Sequence, residues 1–161
     1  MVRPGVALYG YTLPMDCTHT TAPAKIQPHL RPVMTWKTRI LTLHDIQPGD
    51  TIGYNATFTA QHPMRLALLP IGYADGLRRE LSSTNANPGG WAIIHNQRAP
   101  IVGRISMNLT VVDVTQILAV TSGDEVILLG DGITADDHAR LAHTISYEIL
   151  CGVRATPHLV G

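Results

Sequence analysis

Short runs in which apolar and polar positions alternate fill most of this chain. Between Val33 and Leu41, β-branched and aromatic residues alternate with polar ones, the pattern of a strand with one buried and one wet face. Gln47-Pro-Gly-Asp50 then supplies a turn, with proline and glycine where a reversal needs them. The same reasoning predicts further strands at Thr51 to Thr59, Met64 to Ile71, Trp91 to His95, Ala99 to Val114 and Glu125 to Leu129. Asn87-Pro-Gly-Gly90, Asn96-Gln97 and Ser122-Gly-Asp124 separate them. Strands this short and this regularly interrupted predict a mainly β fold, an antiparallel β-barrel or sandwich-like domain, and not a parallel α/β sheet.

The period changes near the C-terminus. Thr134 and Asp137 form an approximate capping box, Asp136 and Asp137 sit favourably near a helix N-terminus, and Leu141, Ile145 and Ile149 recur at i, i+4 and i+8. One C-terminal helix packed on the core is expected. At the other end, residues 2–10 read as a short extended piece, and Pro14, Pro23 and Pro28 make residues 11–31 a connector. The organisation expected is therefore 1–10 as a separate element, 11–31 as connector and 32–161 as the β-domain.

A chain of 161 residues with 45% hydrophobic content is long enough for one domain with a real core. Its zero formal net charge leaves no electrostatic footprint for nucleic acid or an anionic membrane, so neither is expected as a partner. The longest apolar run, Leu66-Ala-Leu-Leu-Pro-Ile71, falls far short of a membrane span and is broken by Pro70. Met-Val-Arg-Pro-Gly has no apolar stretch after its charge and does not read as a signal peptide, so a cytoplasmic protein is expected. Cys17 and Cys151 form no paired motif, and the eight histidines offer no metal-ligand spacing; no metal is predicted.

Residue chemistry alone leaves the candidate positions open. Tyr54 carries a phenol able to exchange a proton if its surroundings tune it, but a strand tyrosine is also an ordinary half-buried aromatic. Met107 suits a gap in a core, Arg3 a solvated terminus and Gly5 a turn beside Pro4. Asp75 and Gly76 read as turn formers, with Arg78 and Arg79 a solvated pair.

Three stretches, Ile52-Gly-Tyr-Asn-Ala-Thr-Phe-Thr-Ala60, Ile71-Gly-Tyr-Ala-Asp-Gly-Leu-Arg-Arg79 and Ile101-Val-Gly-Arg-Ile-Ser-Met107, together resemble the C-terminal β-domain of the pyridoxal-phosphate-dependent alanine racemases. The resemblance is collinear from about residue 2 to about residue 150. It implies an enzyme that interconverts L- and D-alanine for peptidoglycan precursors, with pyridoxal 5'-phosphate as cofactor, working as a homodimer whose sites join one subunit's α/β barrel to the other's β-domain. By the same resemblance Tyr54 is one of two acid/base residues, and Tyr73 lines the substrate entrance. The main-chain N–H of Met107 meets the substrate carboxylate. Arg3 faces the pyridine nitrogen, where an always-charged donor keeps that nitrogen unprotonated, and the N–H groups of Gly5 and Val6 approach the cofactor phosphate. A phenol is a weak base at neutral pH, so phenolate must be favoured by neighbouring cations; the resemblance puts most of them in the barrel.

The chain also departs from the family. Its only lysines, Lys25 and Lys37, do not stand in the motif of the cofactor-anchoring lysine, so residues 1–10 are expected to be the last strand of a missing barrel and the chain alone to be inactive. Asn108 replaces the usual aspartate, and the tail Cys-Gly-Val-Arg-Ala-Thr-Pro-His158 lacks the family's ending. Two alternatives stand beside the leading one: a truncated non-catalytic β-domain used for dimerisation or binding, with a barrel in trans as partner, and a racemase of the same family acting on serine or lysine.

Overall fold

The computed structural model describes residues 1, 3–11 and 30–155. Among these, nine strands make three antiparallel sheets. The largest orders β1 (Trp36–Arg39), β9 (Glu125–Leu129), β6 (Trp91–Ile94) and β7 (Gln97–Pro100) side by side. A second orders β2 (Thr42–Ile46), β5 (Met64–Leu69) and β8 (Thr110–Asp113), and a two-stranded ribbon pairs β3 (Thr51–Ile52) with β4 (Phe58–Thr59). A bridge between Ile101, just past β7, and Val112 of β8 joins the two larger sheets along one edge.

These sheets enclose the main core. Trp36, Leu69, Ile94, Val112, Val126 and Leu128 point into it, and the alternation along β8 and β9 puts Val111 and Ile127 on the opposite faces. Strand β5 is apolar at nearly every position because both of its faces are covered. Ala67 and Leu69 join the main core, while Met64 and Leu66 join a smaller cluster with Ile52, Ala60 and Val102, against which Phe58 packs. That second cluster docks the β3–β4 ribbon.

The mainly antiparallel fold, and strands β5, β6 and β9, match the expectation. Four local expectations are corrected. Thr51 to Thr59 is not one strand: it reverses at residues 54–56 and pairs with itself, Thr51 opposite Thr59. Ala99 to Val114 is likewise two strands with a long loop between them, and β2 falls where no strand was expected. The expected single helix is two, α1 (Ala135–Leu141) and α2 (Ser146–Gly152). The Thr134–Asp137 capping box forms as expected, but His143 takes a left-handed φ of 52° and the Thr144 N–H turns back to the Ala139 carbonyl, which stops α1. Ile149 stays buried while Ile145, on the intended stripe, is 52% exposed.

The N-terminal piece also differs from the extended strand expected. Gly5–Tyr9 winds into a short 3-10 helix whose Val6 is buried in the main core, and the Tyr11 hydroxyl accepts the Ala135 N–H at the start of α1. Residues 12–29 of the connector, including Cys17 and Lys25, lie outside the described residues.

Candidate active site

Tyr54 stands at the tip of the β3–β4 ribbon, 65% exposed, in a 3-10 turn and not within a strand. The two residues after it, Asn55 at φ 62° and Ala56 at φ 49°, are both left-handed. For an alanine this conformation costs roughly 1–2 kcal/mol, and beneath it the Thr57 hydroxyl is buried without a hydrogen-bond partner. Strain and an orphaned polar group of this kind persist only where the surroundings hold them. Part of that holding comes from Asn85, whose side-chain amide grips Thr59 of β4 at both ends: Oδ1 accepts the Thr59 N–H at 2.7 Å and Nδ2 donates to the Thr59 carbonyl at 2.8 Å.

Tyr73 opens a second 3-10 turn, Tyr73–Asp75, and is 44% exposed. The Asp75 carboxylate closes that turn by accepting the Gly72 N–H at 2.9 Å. The turn lies directly on the loop that carries Met107: the Tyr73 N–H donates to the Ser106 carbonyl at 3.0 Å and the Ala74 N–H to the Met107 carbonyl at 2.9 Å. The approach is so close that a Cβ on Gly72 would stand 2.2 Å from the Ser106 oxygen, which is why glycine is required there. Met107 is 55% exposed, so it is not the gap-filling core methionine that its residue type alone allows. Among the described residues its N–H has no acceptor within the chain, which leaves it able to meet a ligand.

One loop therefore unites three of the positions singled out from sequence. Residues 103–107 touch the Tyr73 turn at one end, and at the other the Arg104 nitrogen lies 2.9 Å from where a Cβ on Gly53, the neighbour of Tyr54, would be. Tyr54, Tyr73 and Met107 are all exposed, and the turns that carry the two tyrosines both touch this loop. Among the described residues no hydrogen bond ties Arg3, Gly5 or Val6 to the Tyr54 turn. Arg3 is exposed, and Val6 is buried through its side chain.

Pyridoxal phosphate can be tested against this second group. Gly5 has a φ of 57°, and among the described residues the one atom within 4 Å of where its Cβ would be is the hydroxyl oxygen of Tyr147, at 3.5 Å. That hydroxyl brings a hydrogen-bonding group beside Gly5, and the first N–H groups of a 3-10 turn have no acceptor within it. These residues fit a phosphate. Tyr147, on α2, is a functional candidate that sequence reasoning missed; its position in the chain carries no hint of Gly5, 142 residues away by numbering (147 minus 5). Asn85 was missed for the same reason, since an asparagine in a turn looks like any other.

Of the two arginines read as a solvated pair, Arg79 is exposed, but the reading of Arg78 needs correction. The Arg78 guanidinium donates to Glu148 of α2 at 2.8 Å and lies 3.4 Å from Glu80, with its Nε buried and outside hydrogen-bond geometry. Hydrogen bonds from Thr144 and Arg78 hold the Glu148 carboxyl below its usual range.

Comparison with known proteins places this geometry. The fold is that of the β-domain of solved alanine racemases: the biosynthetic enzyme of Pseudomonas aeruginosa superposes with a TM-score of 0.76 at 31% identity, over 94% of this chain and 39% of that one. The racemase of Bartonella henselae, solved with covalently bound pyridoxal phosphate, gives 0.77 at 30% identity, over 94% and 38%. The family model for the alanine racemase C-terminal domain matches residues 33–160, and the chain belongs to that family. Among curated relatives, the alanine racemase of Halothermothrix orenii is 41% identical over 157 residues, 95% of this chain and 38% of the relative, so the chain spans well under half the length of the proteins it matches.

Proposed function

We propose that this chain acts as the C-terminal part of an alanine racemase, presenting Tyr54 to the active site of a partner subunit. The observation that carries the reading is the exposure of Tyr54, Tyr73 and Met107 beside one loop that both tyrosine turns touch, with two left-handed non-glycine residues directly after Tyr54. Exposed apolar patches of this sort in soluble proteins mark interaction surfaces. A homodimer in which each barrel covers the other subunit's β-domain accounts for it.

When bound, pyridoxal phosphate supplies the electron sink that makes the α-proton of an amino acid acidic. The chain's own residues would do the rest of its share. Tyr54 exchanges a proton with the α-carbon on one face of the substrate, and the opposite face belongs to the barrel's lysine. The free N–H of Met107 donates to the substrate carboxylate, and Tyr73 lines the way in. Arg3, always charged and donor-only, would be the group that meets the ring nitrogen and keeps it unprotonated when the cofactor is bound. Gly5 and Val6 direct N–H groups at the phosphate, with the Tyr147 hydroxyl as an added donor. Lys37 is held by Glu125 at 2.7 Å across β1 and β9, which supports an anchoring lysine other than Lys37. The product, D-alanine for peptidoglycan precursors, puts the reaction in the cytoplasm.

The test is complementation. A racemase barrel carrying its lysine and cofactor is mixed with this chain, and the interconversion of L- and D-alanine is followed by circular dichroism; turnover that depends on both parts is expected. A stable complex without turnover would instead favour the non-catalytic binding module, and turnover only with serine or lysine would reassign the substrate.

A further inference from the structure

Where the chain leaves α2, Val153 and Arg154 are docked on the rest of the domain. The Arg154 N–H donates to the Asp75 carbonyl at 2.9 Å, and a Cβ on Gly76 would stand 2.0 Å from the Gly152 oxygen, so the two backbones touch. Asp75 is the residue whose carboxylate closes the Tyr73 turn, and that turn is hydrogen-bonded to Ser106 and Met107. Glu148 reaches Arg78 from the same helix, and Val153 packs on the core. Tyr73, Gly76, Arg79, Gly152 and Arg154 border a single surface depression at this contact. Helix α2 thus runs from Tyr147, beside Gly5, to the back of the entrance turn.

We propose that the main-chain N–H of Arg154 is a positioning contact: by holding Asp75 it fixes the Tyr73 turn and the Met107 N–H, and so sets how tightly the substrate carboxylate is received. The identity of the side chain at 154 is immaterial to this, which explains how the tail can diverge while the entrance keeps its shape. The proposal deepens the racemase reading and rests on it for the word substrate, but its structural half can be tested alone.

Arg154→Pro removes this one donor, and the preceding Val153, at φ −63° and ψ 122°, already has the conformation a proline requires of its neighbour. Arg154→Ala keeps the donor and removes the side chain. Amide hydrogen exchange of the 161-residue chain should show Tyr73 and Ala74 exchanging about three- to tenfold faster in Arg154→Pro, the range expected for losing one main-chain hydrogen bond. Arg154→Ala should match the wild type, and the amides of β5 should be unchanged in both. Equal protection of Tyr73 and Ala74 in all three proteins, or loosening by Arg154→Ala as well, overturns the proposal. Should the proline variant fail to fold, a chain ending at Gly152 must show the same loosening, and unchanged exchange there overturns it equally. In the barrel-complemented enzyme, Arg154→Pro should raise KM for alanine about three- to tenfold with kcat nearly unchanged. A fall in kcat at constant KM refutes positioning, whereas absence of turnover with the wild-type chain counts against the racemase reading and leaves the exchange result standing.

Discussion

His138 should make the stability of this domain sensitive to mild acid. The residue lies on α1, is 2% exposed, and its Nε2 is buried without a partner. Burial lowers its pKa from 6.5 to about 4, against the opposing pull of Asp137 and of a hydrogen bond to the Leu128 backbone. The folded state thus binds the proton more weakly than the unfolded chain does, so between about pH 6.5 and about 4 the unfolded state takes up more protons and stability falls as pH falls. A displacement of that size is worth about 3 kcal/mol, a large part of the roughly 5–15 kcal/mol that holds a domain together. Asp124, lowered chiefly by its hydrogen bonds to Thr121, loses its contribution only at more acid pH, below the ordinary carboxylate value. Asp137 behaves likewise: burial raises it, but the hydrogen bonds from Thr134 and the charge of Arg140 outweigh that and leave it lowered. The upper half of the window therefore isolates the histidine. Urea denaturation followed by far-ultraviolet circular dichroism at a series of pH values should give a loss of stability with acidification that is absent in His138→Leu, which cannot titrate. A flat wild-type profile above pH 5, or an equal slope in the leucine variant, would show that His138 is not the group responsible.

Other outcomes follow from the site. In the barrel-complemented enzyme Tyr54→Phe should reduce turnover by about 10²–10⁴-fold with little change in folding, while Tyr73→Phe should act mainly on KM; steady-state kinetics in both directions separates the two, and the reverse ranking would mean the roles are exchanged. Asn85→Ala removes both hydrogen bonds to Thr59 and should destabilise the ribbon by about 1 kcal/mol, read as faster exchange of the Thr59 amide with β5 unaffected. Gly72→Ala forces a methyl group against the Ser106–Met107 backbone and should cost about 1–3 kcal/mol, measured by chemical denaturation; a neutral result would mean that the loop yields freely.

The parts of the fold that could be read from the chain are those decided locally. Glu125–Leu129 alternates and forms β9 as expected, and the Thr134–Asp137 box caps α1 because both partners lie within one turn. The reversal at Tyr54 was hidden because alternation continues through it; what turns the chain is a pair of left-handed residues, Asn55 and Ala56, whose types do not announce that conformation. The split of the final helix depends in the same way on His143. At the site, the motifs drew attention to Tyr54, Tyr73 and Met107, and in the structure all three are exposed beside the 103–107 loop. Asn85, Tyr147 and the Arg154 N–H act through contacts made across the fold, one of them through an atom common to nearly every residue, and no spacing rule could find them.

The loop at 103–107 has a bearing on how such a domain can diversify. Its contacts with the two tyrosine turns include carbonyls, amide nitrogens and the bare α-carbons of Gly53 and Gly72. A frame made of main chain is invisible to most point substitutions, which alter what projects from it and leave its outline in place. Relatives that handle different amino acids should therefore differ in the side chains around this loop, such as Asn108, far more than in the spacing of the two tyrosines it holds.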